Sequence, residues 1–260
     1  MREKKSNGIR IGIVDFNPDQ NPDTRQYVRR ISKLIPDDFE AEGIFFKDDT
    51  DYSDYDALIL SGSKLSASNY QEMAEHGMAI EGDYVFVDNA VQKLSRYKGS
   101  MFGICFGSQL IARVIGGDLG KLEKTEAGYL AHRLTDDGKK DPVFGRLPDI
   151  FYGAHLHNDY VKSLPAAGEN ITDSQILATR NGHIHAYKII CSNGSVMYGV
   201  QPHPEMSSPR DATFLVEVNG TWLEDAIGNQ EYQNALTVPF GADYELAKTI
   251  AKFAEIVKKI

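Results

Sequence analysis

Ser100-Met101-Phe102-Gly103-Ile104-Cys105-Phe106-Gly107-Ser108-Gln109 runs from an apolar stretch, through a turn between two glycines, into a helix-forming stretch. Its centre has the form G-x-C-x-G. A side chain held in a sharp strand-to-helix turn is forced into an exposed, strained position, which is the geometry of a nucleophile elbow. Glycines two residues either side allow the close backbone approach that such a turn needs. The following helix aims its unsatisfied N–H groups and positive dipole end at the sulfur, which favours the reactive thiolate. Taken alone, the pattern also fits a cysteine buried in a tight β–α turn.

The surrounding sequence alternates strand and helix. Residues 9–16 (IRIGIVDF) suit one buried strand, followed by an Asn-, Asp- and Pro-rich turn. Pro22 starts a helix to about Lys33, with Tyr27, Val28, Ile31 and Leu34 on one face. Residues 39–46 and 57–60 read as strands, the latter entering Ser61-Gly62-Ser63; residues 68–97 are mainly helical. The strand at 100–104 leads to a helix over 106–115, closed by Gly116-Gly117. This order predicts an α/β fold with a mostly parallel central sheet flanked by helices. Short β-rich runs follow at 129–134, 176–179, 186–190 and 196–200, expected as antiparallel or edge strands added to that sheet. Residues 244–260 are helical, with Leu246, Ile250, Phe253, Ile256 and Val257 on one face. No linker or repeat divides the chain. It reads as a flexible tail over 1–8 and one domain over 9–260, whose last part, 209–260, is a largely helical extension.

The 260 residues carry a formal net charge of −9. That argues against a nucleic-acid surface, which needs clustered Lys and Arg. The one dense basic run, residues 2–5, reads as a solvated tail. There is no apolar run long enough for a membrane span, and the charged N-terminus is not followed by a signal-peptide core. Two cysteines, Cys105 and Cys191, make no disulfide framework and fit a reducing cytoplasm. Cys191, beside an apolar strand, reads as structural.

A second motif, Val200-Gln201-Pro202-His203-Pro204-Glu205, lies at the end of an apolar strand, where parallel sheets build sites. Two prolines fix the backbone around His203. Glu205 can orient the imidazole and stabilise its charged form. Cys105, His203 and Glu205 together would make a nucleophilic triad. The spacing of His183 and His185 could hold a metal. No Cys, Asp or Glu cluster stands beside them in sequence, and a hairpin turn at Asn181-Gly182 is the expected reading. His76, His132 and His155 have no visible partner. No phosphate-binding loop or dinucleotide fingerprint occurs. No metal and no cofactor are expected.

Gly103-Ile104-Cys105-Phe106-Gly107-Ser108-Gln109, with Gln201-Pro202-His203-Pro204-Glu205 at this separation, resembles the class I (triad) glutamine amidotransferases over roughly residues 9–208. The resemblance implies a flavodoxin-like fold of the class I amidotransferase type. It implies Cys105 as nucleophile, His203 as base and Glu205 as its carboxylate. It places an oxyanion hole at the N–H of Phe106 and the Gly62-Ser63 loop, where Ser63-Lys64 stands for the family's usual Gly-Pro. Glu126-Ala127-Gly128-Tyr129 is similar to the family's E-x-G segment, which contacts substrate. Gln109 matches a glutamine near the bound γ-glutamyl group, and His157-Asn158-Asp159-Tyr160-Val161 matches a stretch bordering the pocket; His157 is equally readable as a structural histidine. The implied chemistry is hydrolysis of glutamine or another γ-glutamyl amide through a thioester, with two forms left open. One is a glutaminase passing ammonia to a separate synthase subunit; the other is a stand-alone hydrolase of γ-glutamyl conjugates. A catalytically silent binding relative is a third reading, opposed by the intact Cys105, His203 and Glu205.

Overall fold

The strand Ser100–Ile104 is buried at every position, because it has a covered layer on each side. Met101 joins an apolar layer with Leu58, Leu60 and Leu110, while Phe102 and Ile104 join the opposite layer with Ile11, Ile13, Ile59 and Phe253. Alternate side chains point to opposite faces, so a strand covered on both needs an unbroken apolar run rather than an alternating one. The structure, a computed structural model, describes residues 8–18, 26–239 and 244–260.

In chain order the strands are β1 (Ile9–Asp15), β2 (Phe39–Phe45), β3 (Ala57–Leu60), β4 (Ser100–Ile104), β5 (Asp118–Leu134), β6 (Ile150–Ser163), β7 (Ile171–Arg180), β8 (His183–Cys191) and β9 (Val196–Val200). The helices are α1 (Gln26–Ser32), α2 (Ala67–Glu75), α3 (Tyr84–Arg96), α4 (Phe106–Val114), α5 (Asp136–Lys140), α6 (Pro209–Glu217), α7 (Gly220–Ile227), α8 (Asn229–Ala235) and α9 (Lys248–Val257). The strands form one sheet in the order β2-β1-β3-β4-β9-β8-β6-β5-β7. Pairings from β2 to β9 are parallel, and those beyond β9 are antiparallel. The predicted α/β architecture with added antiparallel strands is therefore present. Because β7 pairs with both β5 and β8, strands β5, β6, β8 and β7 close on themselves as a small ring.

Two differences from the sequence reading matter for function. β5 is 17 residues long, starting well before Tyr129, and β6 is a full strand rather than only a pocket border. The expected hairpin turn is present, with Asn181 at φ 50° and Gly182 at φ 80°. Residues 1–7 of the tail expected over 1–8, and the start of the first helix at Pro22, lie outside the described residues.

The last helix, α9, closes the sheet face with Phe253 packed 5.5 Å from the Phe102 ring. Burying one such side chain fully is worth about 1.5–3 kcal/mol. Helices α6, α7 and α8 pack instead on β5 and β6, so this part of the C-terminal extension lies over the antiparallel half of the sheet.

Candidate active site

Cys105 sits between β4 and α4 with φ 49° and ψ −108°, far outside the conformations that non-glycine residues prefer. Such backbone costs on the order of 1–3 kcal/mol and persists only where its surroundings fix it. Here they do. The Cys105 N–H donates to the Val200 carbonyl at 2.7 Å, and the Gly107 N–H to the Ser61 carbonyl at 3.1 Å. A Cβ on Gly103 would meet the Ser108 nitrogen at 2.5 Å, and one on Gly107 the Leu60 carbonyl oxygen at 2.4 Å. Both glycines of the motif are thus required by close backbone approach.

β9 delivers the second motif to the same place. The Gln201 N–H donates to the His185 carbonyl at 2.8 Å, and the His203 N–H to the Ala154 carbonyl at 2.9 Å. His203 Nδ1 lies 2.6 Å from Glu205 Oε1, with both side chains buried. Burial alone would push the imidazole below its usual value. The Glu205 carboxylate, hydrogen-bonded to the ring, and then the Cys105 sulfur outweigh it and raise the ring to about 10. His203 thus sits between an acceptor carboxylate and the sulfur, both of which favour its charged form. The Tyr27 ring packs 6.2 Å from the imidazole. On another side of the ring, a Cβ at Gly62 would meet His203 Cε1 at 2.6 Å, so a larger residue there would have to displace the ring or the loop.

The Ser61-Gly62-Ser63 loop follows β3. The Ser61 hydroxyl accepts from the Phe16 N–H at 2.9 Å and donates to the Gly62 carbonyl at 2.8 Å. The Ser63 hydroxyl donates to the Phe16 carbonyl at 2.7 Å and accepts from the Leu65 N–H at 3.0 Å. The serine that departs from the expected glycine thus ties the loop to the end of β1. Among the described residues, the N–H groups of Gly62, Ser63 and Phe106 have no protein acceptor.

The other residues named from sequence have partners of their own. Gln109 is buried, and its Nε2 donates to the Asp159 carbonyl at 2.8 Å and to Gln201 Oε1 at 3.0 Å. The Asp159 carboxylate accepts from both the Ser66 and Ser68 hydroxyls at 2.7 Å, beside the first turn of α2. Gly128, at φ 107°, packs against Ala235 of α8. Tyr129 is buried between the Tyr152 and Tyr244 rings. These positions border the site, but their described contacts are within the protein. Gln201 is a residue to which sequence reasoning gave no role. Its Nε2 donates to Cys105 Sγ at 3.4 Å, and its only sequence signal is its place in the second motif.

His157 turns away from the sulfur into a group that no local spacing announced. Glu126, His155, His157 and His185 bring ligand-type atoms within 4.8 Å of one another. His132 stands behind them, its Nε2 2.8 Å from His155 Nε2. Two of the three histidines that showed no partner in sequence, His132 and His155, are therefore each other's partners. Burial, and then the other rings, push His132 and His155 well below the usual histidine value and His185 to about 3. His183 is not part of the group and packs on the Tyr160 ring.

A cavity of about 570 Å³ is lined by Glu205 with Arg29, Arg30, Lys33, Arg210 and others, without Cys105 or Gly62. It is a basic recess beside the carboxylate rather than the place of the sulfur chemistry. Among the described residues no helix is long and apolar enough to cross a membrane.

The chain matches the family described as glutamine amidotransferase class-I over residues 32–219. It is 26% identical over 184 residues to one subunit of the glutamine-hydrolyzing GMP synthase of Picrophilus torridus, covering 71% of this chain and 81% of the relative. It is 29% identical over 165 residues to gamma-glutamyl peptidase 5 of Arabidopsis thaliana, covering 62% of this chain and 57% of that relative, so it spans little more than half the peptidase. A solved glutamine amidotransferase from Thermotoga maritima has the same fold, with TM-score 0.63 over 98% of each chain at 15% identity. The protein belongs to the class-I glutamine amidotransferase family.

Proposed function

We propose that the protein hydrolyses a γ-glutamyl amide by cysteine catalysis through a γ-glutamyl thioester. The observation that carries this reading is the strained Cys105 at the head of α4, facing a His203 imidazole that Glu205 holds at 2.6 Å. In this reading the Cys105 thiolate attacks the γ-carbonyl carbon, and the oxyanion is stabilised by the N–H of Phe106 and of the Gly62-Ser63 loop. Each such donor is worth about 10²–10³ in rate. His203 gives its proton to the leaving amine, the C–N bond breaks, and a thioester remains. His203 then takes a proton from water, which attacks the thioester and releases glutamate and the thiolate. Gln201 orients the sulfur, and Gln109 supports Gln201. Gly128, Tyr129, His157 and Asp159 shape the pocket border from behind. A reducing compartment such as the cytoplasm suits a mechanism that needs a free thiolate.

Two forms of the activity remain as readings: a glutaminase that feeds ammonia to a separate synthase subunit, and a γ-glutamyl hydrolase that works alone. The packing of Ala235 on Gly128 favours the second, because the chain's own extension already covers that segment. The test is glutamate release by the purified protein from glutamine and from a panel of γ-glutamyl dipeptides and amines. Release from at least one substrate, abolished in Cys105→Ala, is expected; release retained by Cys105→Ala would overturn the cysteine mechanism. Fast release from a conjugate and slow release from glutamine would select the stand-alone hydrolase.

A further inference from the structure

We propose that Glu126, His155, His157 and His185 form a binding site for one divalent first-row transition-metal ion of the zinc class. Glu126 lies on β5, His155 and His157 on β6, and His185 on β8, three of the four strands that close into the small ring. Glu126 and His157 stand directly opposite in the β5–β6 ladder, and His155 follows two residues away on the same face. The fold thus converges three imidazoles and a carboxylate on one point.

Each member of the group carries a buried polar atom without a hydrogen-bond partner. Glu126 Oε2, His155 Nδ1, His157 Nε2 and His185 Nδ1 are buried without a hydrogen-bond partner. His157 Nε2 and Glu126 Oε2 are 3.2 Å apart, yet they are not aligned as a hydrogen bond. His185 Nε2 lies 3.8 Å from the same carboxylate oxygen. Several orphaned polar atoms in one buried place are costly, at about 1–3 kcal/mol each, and a shared cation would satisfy them together.

The surrounding contacts are those of metal ligands. His157 Nδ1 lies 2.9 Å from the Asp159 carbonyl, which can only accept. The ring proton therefore sits on Nδ1 and leaves Nε2 as a lone pair. His132 holds Nε2 of His155 and leaves its Nδ1 without a partner. Arg180 and Asn181 donate to Glu126 Oε1 at 3.3 and 3.2 Å, which fixes the carboxylate with Oε2 inward. Three imidazoles and one carboxylate suit zinc above magnesium or calcium, which prefer oxygen ligands. A tetrahedron with bonds of about 2.1 Å has edges of about 3.4 Å. The pairwise limit of 4.8 Å therefore calls for modest inward ring movement on loading.

The site shares backbone with the catalytic residues. His155 follows Ala154, whose carbonyl holds the His203 N–H, and the His185 carbonyl holds the Gln201 N–H. A bound ion would pin β5, β6 and β8 together beneath those anchors. It would act on the geometry of the site and on stability, not on the substrate.

The test uses the full chain carrying Cys105→Ala, which removes the catalytic sulfur as a competing ligand. Chelator-treated protein is loaded with zinc or with cobalt(II), desalted and analysed for metal. The expected result is one equivalent retained per chain, a raised melting temperature with zinc, and visible cobalt d–d absorption without a thiolate-to-cobalt band. His185→Gln and Glu126→Gln should each lose retention and the melting shift, while His183→Gln keeps both. Absence of retained metal in the folded protein would overturn the proposal, as would retention unchanged in folded His185→Gln or a thiolate-to-cobalt band. If both ligand variants fail to fold, His155→Asn carries the same test. In either case the loading of the Cys105→Ala chain decides it, since failure to retain metal there is decisive without any ligand variant.

Discussion

Gln109 and His157 converge on one atom, the main-chain carbonyl oxygen of Asp159, at 2.8 and 2.9 Å. Gln109 also donates to Gln201, and Gln201 donates to the Cys105 sulfur. A continuous set of contacts therefore runs from the histidine group in the strand ring to the Cys105 sulfur. Replacing Gln109 by Leu leaves the Asp159 carbonyl and the Gln201 amide short of a buried partner, at about 1–3 kcal/mol. The expected result is a fall in kcat of about tenfold with a smaller change in KM, as for a positioning residue. Gln201→Leu should reduce kcat further, because it also removes the contact with sulfur. Steady-state kinetics on glutamate release check both, and a change confined to KM would count against this role.

Gly62 gives a sharper prediction. An added Cβ would lie 2.6 Å from His203 Cε1, so the ring, the loop or both must shift. Overpacking of this kind costs about 1–3 kcal/mol of stability, and a displacement of about 1 Å at a reacting group can cost about 10² in rate. Gly62→Ala is expected to lose about 10²-fold in kcat/KM while remaining folded. Full activity in that variant would show that the histidine does not need this placement.

Asp141 tests the fold apart from the chemistry. Its buried carboxylate accepts from the Val143 and Phe144 N–H groups, from Lys188 Nζ at 3.1 Å and from the Tyr198 hydroxyl at 3.0 Å. Asp141→Ala strands the Lys188 ammonium, which is largely buried, and removes the acceptor that joins β8 and β9 to the segment after α5. Breaking one side of such a pair costs about 3–5 kcal/mol. Chemical denaturation should show that loss, with kcat per folded molecule little changed.

The elbow and the His203-Glu205 pair were legible because their cause is local. Glycine spacing, a strand-to-helix switch and proline-fixed backbone all lie within a few residues. The parallel half of the sheet was legible for a related reason, since strands covered on both faces carry continuous apolar runs. β6 was not, because it alternates His155, His157 and Asp159 with less polar neighbours, and buried polar residues at strand period look like loop composition. The histidine group was invisible for the same reason. Its members lie on three strands, brought together only when the ring of β5, β6, β8 and β7 closes. Gln109 and Gln201 illustrate the limit: 92 residues apart, they meet because α4 and β9 flank the same strand end, which no local pattern encodes.

The pH dependence follows from His203. Its ring is raised to about 10 from the ordinary 6.5, against burial, by Glu205 and then Cys105. A group whose folded value lies above its unfolded value contributes stability that is fully present below about 6.5 and is lost as pH rises through about 10. In the proposed mechanism the same proton is the one passed to the leaving amine, so kcat/KM should fall on the alkaline side over that upper range. Glu205→Gln removes the largest contribution that raises the ring, while the burial that lowers it remains. The alkaline limb should therefore move downward, by about one unit or more, and the variant's stability should peak at lower pH. Because the Gln amide can still accept a hydrogen bond from Nδ1, ring orientation is largely kept, and the shift reads charge rather than geometry. pH profiles of kcat/KM for the two proteins decide the matter. An alkaline limb that stays in place in Glu205→Gln would mean that the carboxylate does not control the proton on His203.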